Sequence, residues 1–304
     1  LLAAVGEAGG QYAVAAADIS TGRLDVVAVD SGGIEAELAR IGASEIVARP
    51  GMAERLPGAH PFENRGFDST RAEADICRHF GVKTVESFGN FSRAELSALG
   101  GLLGYLEHVG KGRMPFLAAP VRAGAQDHLA IDPATRESLE IVTTASGQRA
   151  GSLLATVDRT VTGAGARLLA ADLSAPLMDR ATIEARLDLV RWFHDDGPLR
   201  ELVRSRLRAL PDLSRALGRV AIGRGSPRDL GQLRDGLDGG RALRERLGKL
   251  ADRPALLDDL LPALDGHGAL VDQLARALVP APPTEAAHGG YIADGYDTAL
   301  DELR

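Results

Sequence analysis

Cysteine occurs once in these 304 residues, at Cys77, so no disulfide can close within the chain and no all-thiolate metal site can be built from it. Aromatic residues make up only 4%, which argues against a platform on which unpaired bases stack. Lysine is nearly absent too: of 35 basic residues, 32 are arginine. A bias that even reads as genome composition rather than local design. No apolar run reaches the roughly 18 residues a membrane-spanning helix needs. A basic start followed by an apolar core and a cleavage site is also missing. The expectation is a cytoplasmic protein with no membrane partner.

What is present suits a soluble globular protein, with 45% apolar and 25% charged residues. A chain of this length suggests about two domains, each able to bury its own core. The net charge of −7 is uneven. Residues 1–110 hold 9 basic and 15 acidic residues, and residues 111–304 hold 26 and 27. Locally, Arg200, Arg204, Arg206, Arg208, Arg215, Arg219, Arg224 and Arg228 face only Glu201 and Asp212 over residues 200–228. Such a cluster can contact phosphates, or its stems can cover apolar helix surface. The chain begins at Leu1, inside what reads as the tail of an apolar segment, and stops as a helix starts at Asp301–Arg304. It therefore reads as a fragment.

Patterning divides the chain. Residues 12–29 alternate about a Ser20-Thr21-Gly22 turn and predict a β-hairpin. Ser31–Ile41 predicts a short helix closed by Gly42, and Glu45–Ala48 a buried strand. Thr70 with Glu73, and Ser92 with Glu95, have capping-box spacing and open helices to about Phe80 and Val109. Thr84–Phe88 reads as an edge strand. Residues 1–110 are thus an α/β domain. Residues 111–127, carrying Gly112, Pro115, Pro120 and Gly124, read as a linker. From 128 to 304 strand signals fade after a short His128–Ile131 run. Asp132-Pro133 and Ser226-Pro227 are helix starts. Helices are predicted at 152–158, 163–174, 181–193, 197–209, 212–221, 227–248 and 254–277.

Residue patterns that could carry chemistry are few. Gly81-Val82-Lys83-Thr84 lacks the glycines of a phosphate loop. Gly163-Ala164-Gly165 opens a helix but follows no strand, so close packing explains it better than a dinucleotide site. Cys77 and His79 stand two apart on a helix and do not face each other. No pair of histidines has metal-ligand spacing. Trp192 and Phe193 read as core. No catalytic, cofactor or metal residue emerges, and the chain by itself is not expected to be an enzyme.

Several stretches nevertheless resemble the bacterial MutS family of DNA mismatch-recognition proteins. Ala17-Asp18-Ile19-Ser20-Thr21-Gly22 resembles the start of its connector domain. His128 to Glu140, with Ile131-Asp132-Pro133-Ala134-Thr135-Arg136, is similar to the entry of its core. Gly151-Ser152-Leu153-Leu154, Val157-Asp158-Arg159-Thr160 and Gly165-Ala166-Arg167-Leu168-Leu169 follow its most recognisable run. Gly223 to Leu230, through Ser226-Pro227-Arg228-Asp229, continues it, and Gly290-Tyr291-Ile292 with Asp294-Gly295-Tyr296-Asp297 resembles the approach to the lever.

The resemblance implies an RNase H-like α/β connector followed by a mostly helical, incomplete core and lever. These segments would couple an ATPase, with its ATP and Mg, to mismatch-binding and clamp domains, all absent here. The connector would offer a docking surface to a MutL-like protein. Mismatched duplex DNA and a second copy of the chain would be partners of the whole protein. This fragment would hold no cofactor and bind DNA weakly or not at all. Gly151, Arg159, Gly165, Arg167, Pro227 and Arg228 are expected at structural junctions. The competing reading is a freestanding helical module that binds duplex phosphates through Arg204, Arg208, Arg215 and Arg219.

Overall fold

The computed structural model describes residues 1–124 and 128–304. These fall into two compact units: Leu1–Asp158 with Leu168–Met178, and Arg159–Arg167 with Asp179–Arg304. Of the linker expected at 111–127, Ala125 to Asp127 lie outside the described residues, and the remainder belongs to the first unit.

The first unit is built on a mixed sheet. Its strands are β1 (Leu2–Ala8), β2 (Gln11–Asp18), β3 (Arg23–Val29), β4 (Glu45–Ala48), β5 (Ala59–Pro61) and β6 (Val121–Arg122), in the order β5-β4-β1-β2-β3-β6. β1, β2 and β3 form an antiparallel meander, Ala4 opposite Ala15 and Ala15 opposite Val26. β4 and β5 extend it in parallel on one side and β6 on the other. Helices α1 (Ile34–Ile41) and α2 (Pro50–Ala53) supply Ile34, Leu38, Met52 and Ala53 to the core on one face. Helices α3 (Ser69–Phe80) and α4 (Arg93–Val109) supply Ala72, Ile76, Leu99 and Leu102 on the other. A sheet covered on both faces needs no polar alternation. That is why Leu2–Val5 reads as an undifferentiated apolar stretch yet forms a central strand.

Local chemistry explains most of the helix ends. Ser92 and Glu95 form the expected capping box on α4. The cap of α3 is Asp68, which accepts from Thr70 and Arg71 N–H, rather than the expected Thr70. An aspartate two residues earlier meets the same orphan donors and leaves Thr70 inside the helix. Val85–Phe88 is a 3₁₀ turn and not an edge strand. α5 (Pro133–Ser138) starts as expected on Asp132, whose carboxylate accepts from Thr135 N–H. His128 makes one bridge, to Leu177, where a longer strand was expected. α6 (Leu153–Val157) is capped by Ser152.

One half-buried tie joins α4 to β4 in the first unit. The Tyr105 hydroxyl on α4 donates to the Glu45 carboxylate on β4, and this bond, with partial burial, pushes the phenol up to about 12. A raised pKa means the bond stabilises below the ordinary phenol pKa of about 10 and is lost as pH rises through the native value. In an ultraviolet titration Tyr105 should ionise well above the ordinary phenol pKa of about 10, and Tyr105→Phe should remove that step.

The second unit is helical. α7 (Gly163–Ser174) begins in it and ends in the first unit. α8 (Arg180–Asp195), α9 (Gly197–Ala209), α10 (Leu213–Ala221) and α11 (Pro227–Gly248) keep closely to the expected spans. Leu199, Leu247, Leu257 and Leu261 form a core against which Trp192 and Phe193 pack. The single helix expected at 254–277 is instead α12 (Ala255–Leu260), a 3₁₀ turn over Leu261–Leu264 and α13 (Gly268–Ala277). Pro262 lacks the amide that would continue α12. Gly266 and His267 then take positive φ, at 106° and 56°. α14 (Thr298–Glu302) ends the chain.

Candidate functional site

Arginine side chains tie the second unit together at its helix ends. Arg167 stands on the first turns of α7 and forks onto Asp212, which caps α10. The two bonds run Nη1 to Oδ2 at 2.8 Å and Nη2 to Oδ1 at 3.0 Å. A planar guanidinium matches a carboxylate in this way, where a lysine offers only a point charge. The Arg167 hydrogen bonds hold the Asp212 carboxyl below the usual range against its partial desolvation. Arg215 adds a longer contact to the same carboxylate, at 3.7 Å. The start of α7 is drawn in closely: a Cβ on Gly163 would stand 3.3 Å from Asp212 Oδ2. Gly165 donates its amide to Thr162 Oγ1 at 3.0 Å.

α10 is joined to α11 by a second pair. Arg219 Nε donates to Asp229 Oδ1 at 3.0 Å, and Asp229 is buried, 5% exposed. The other carboxylate oxygen accepts the Ser226 amide and hydroxyl, both at 2.8 Å, completing a capping box on α11. Burial alone would raise this carboxyl; the bonds from Arg219 and Ser226 outweigh it and hold it low. The turn between the helices is tight. A Cβ on Gly225 would fall 2.7 Å from Val220 Cα, so glycine is required by contact there.

Other arginines bind main-chain carbonyls at helix ends, where four acceptors lack intrahelical partners. Arg200 on α9 reaches His194 O at 2.7 Å and Phe193 O at 3.1 Å, at the end of α8. Arg234 on α11 holds Val279 O and Pro280 O at 3.1 and 2.8 Å. Arg253 holds Gly248 O at 2.9 Å, at the end of α11. Arg204 on α9 donates to Arg159 O at 2.9 Å.

The expected junction residues fare differently. Arg167 is placed at a junction by its side chain, and Gly165 by its backbone. Pro227 is buried as the first residue of α11. Arg228 is exposed and enters through its amide, which donates to Pro283 O at 3.0 Å. Arg159 has an exposed side chain and contributes its carbonyl. Gly151 lies in the first unit, at φ 95°, just ahead of the Ser152 cap. Of the phosphate candidates, Arg204 and Arg219 are engaged within the unit, Arg215 leans on Asp212 and Arg208 is exposed. Sequence reasoning missed Asp212 and Asp229 as partners, and the carbonyl-binding roles of Arg200, Arg234 and Arg253. The Asp229 signal was present as the capping box Ser226-Pro227-Arg228-Asp229.

Reactive chemistry is not assembled among the described residues. No group of three or more His, Cys, Asp or Glu residues there is placed to hold a metal. Desolvation, with Glu73 and Glu86 nearby, pushes the Cys77 thiol up, away from nucleophilic character. A cavity of about 530 Å³ opens at the carboxyl ends of β1 and β4 beside Glu7, Arg49, Asp68 and Ser69. Another of about 380 Å³ lies beside Asp188, Trp192, Asp252 and Arg253. No helix among the described residues is long and apolar enough to cross a membrane.

Residues 1–117 match the family model of MutS domain II, and residues 134–303 match that of MutS domain III. The DNA mismatch repair protein MutS of Erythrobacter litoralis is 55% identical over 304 residues, all of this chain and 35% of the relative. That of Zymomonas mobilis is 51% identical over 309 aligned residues, all of this chain and 36% of the relative. That of Azorhizobium caulinodans is 42% identical, over 99% of this chain and 33% of the relative. The chain thus spans about a third of the length of the curated relatives it matches. With both domains matched in order and relatives aligned across its whole length, the chain belongs to the MutS family and carries that family's domains II and III.

Proposed function

We propose that this chain is the relay of a mismatch repair protein. Its helical unit would pass the ATP state of a full-length MutS protein to the parts that hold mismatched DNA. Its α/β unit would serve as the connector that meets a MutL-like partner. The observation that carries this reading is the run of arginine ties from α7 to α10, from α10 to α11, and from α11 to the 279–283 segment. Rigid helices fixed at a few charged junctions move as bodies, which is what transmission between distant sites requires. Perturbed ionisable groups in a cleft, the mark of a reaction centre, are not needed for that task.

A titration of the 304-residue chain into matched and G·T-mismatched duplexes tests the placement of DNA reading. Fluorescence anisotropy at two salt concentrations should show weak or negligible binding that falls with salt and ignores the mismatch. Tight binding that prefers the mismatch would place a reading surface in this chain and overturn the relay assignment.

A further inference from the structure

The segment after α4 turns back along the sheet, and its attachments are few. Leu117 is buried in the core. The Phe116 ring lies against Gly22, where a Cβ would come within 2.5 Å of its Cδ1. Ala118 N–H donates to Gly22 O, in the turn before β3, at 2.7 Å, and Ala123 N–H to Val26 O on β3 at 2.8 Å. Between them β6 pairs for two residues only, Val121 opposite Asp25 and Arg122 opposite Val26.

One charged contact stands out. Glu95 in the first turn of α4 is 0% exposed. Its Oε2 accepts the Ser92 amide at 2.6 Å as part of the cap. Its Oε1 accepts Arg122 Nε at 2.7 Å. A fully buried carboxylate needs a charge partner, and its cation here comes from the returning segment. Arg122 itself remains 51% exposed on its side chain, so the pair is closed on one side and open to solvent on the other.

We propose that residues 116–123 form a releasable strap on the first unit, with Arg122–Glu95 as its latch. Closed, the strap pins the chain against the edge of β3. Open, it frees eight residues, up to about 26 Å when extended, while β1 to β5 and α4 stay folded. Short pairing and an exposed edge place this segment at the low-stability end of the unit. The functional meaning rests on the relay reading, since the strap joins the sheet to residues 128–158 of the same unit, and its release would let these parts of the connector shift against each other.

Hydrogen exchange read by mass spectrometry tests the strap on the 304-residue chain. In Arg122→Met, amides of residues 118–123 should exchange about tenfold faster. Those of β2 and of α4 from Leu99 to Leu103 should stay within about twofold. Glu95→Gln should do the same, because glutamine keeps the acceptor for Ser92 and removes the charge that holds Arg122. If Arg122→Met does not fold, Ala123→Pro removes the amide bonded to Val26 and restrains the backbone at Arg122, and should give the same local pattern. Unchanged exchange at 118–123, or a uniform rise across the unit, would overturn the strap. This outcome is independent of the relay, which fails separately if a full-length protein keeps its ATP-to-mismatch coupling when the Arg167–Asp212 fork is broken.

Discussion

Gly100→Ala should destabilise the first unit by about 2–4 kcal/mol, although helix propensity alone favours alanine by up to about 1 kcal/mol. The reason is contact. A Cβ at Gly100 would stand 2.3 Å from Gly66 O and 2.4 Å from Ala72 Cβ. The first is backbone and the second belongs to α3, so neither can turn aside as a long side chain would. The same close approach recurs along α4. A Cβ on Gly101 would enter the Phe67 ring at 2.2 Å, and one on Gly6 of β1 would lie 2.2 Å from Ala98 N. Gly6 lets α4 settle onto the sheet, and Gly100 and Gly101 let it close against Gly66, Phe67 and α3. Gly240→Ala in α11 is the control, since its nearest neighbour would be Leu264 O at 3.9 Å. It should be neutral or stabilise by up to about 1 kcal/mol. Hydrogen exchange at β1 and α4 reads the first effect directly, and equal behaviour of the two variants would refute the packing argument.

Asp229→Ala should cost the second unit about 2 kcal/mol, the sum of a lost cap and a lost charged pair, discounted because Arg219 is half exposed. Urea unfolding monitored by Trp192 fluorescence measures it, since Trp192 packs on the core that contains Leu247 of α11. The pH dependence has a definite sign. Asp229 is held below its ordinary value in the folded state. Its stabilisation is therefore complete above the unfolded carboxyl pKa of about 4 and fades as pH falls through the lower native value. Asp212, held low chiefly by Arg167, adds to the same acid window. Asp229→Asn should flatten the acid limb of the curve below about pH 4. An acid limb identical to that of the parent chain would mean the carboxylate does not carry the junction.

Features written in neighbouring residues were legible in the sequence. Ser92 with Glu95, Asp132 with Pro133, and Ser226 with Pro227 each mark a helix start within one turn, because a cap is a local hydrogen bond. β1 was not legible as a strand, because burial on both faces removes alternation. The break in 254–277 depended on His267 taking a positive φ, which few non-glycine residues do. The site divides in the same way. Arg167 was a candidate for tying helix-end carbonyls, whereas it forks onto the Asp212 carboxylate, 45 positions away, and no local rule connects the two. The arginines of 200–228 read as a single basic cluster. Folding distributes them: Arg200 and Arg204 go to carbonyls, Arg219 goes to a buried carboxylate, and Arg208 is left at the surface.

The relay is tested most directly in a full-length MutS protein carrying Arg167→Met or Asp212→Asn. The quantity to measure is the factor by which ATP changes affinity for a G·T-mismatched duplex. The account predicts that ATP and mismatch each still bind, while that factor falls at least about fivefold, the loss of roughly 1 kcal/mol of coupling. An unchanged factor with the fork broken would show that the junction stabilises the helical unit without transmitting anything through it.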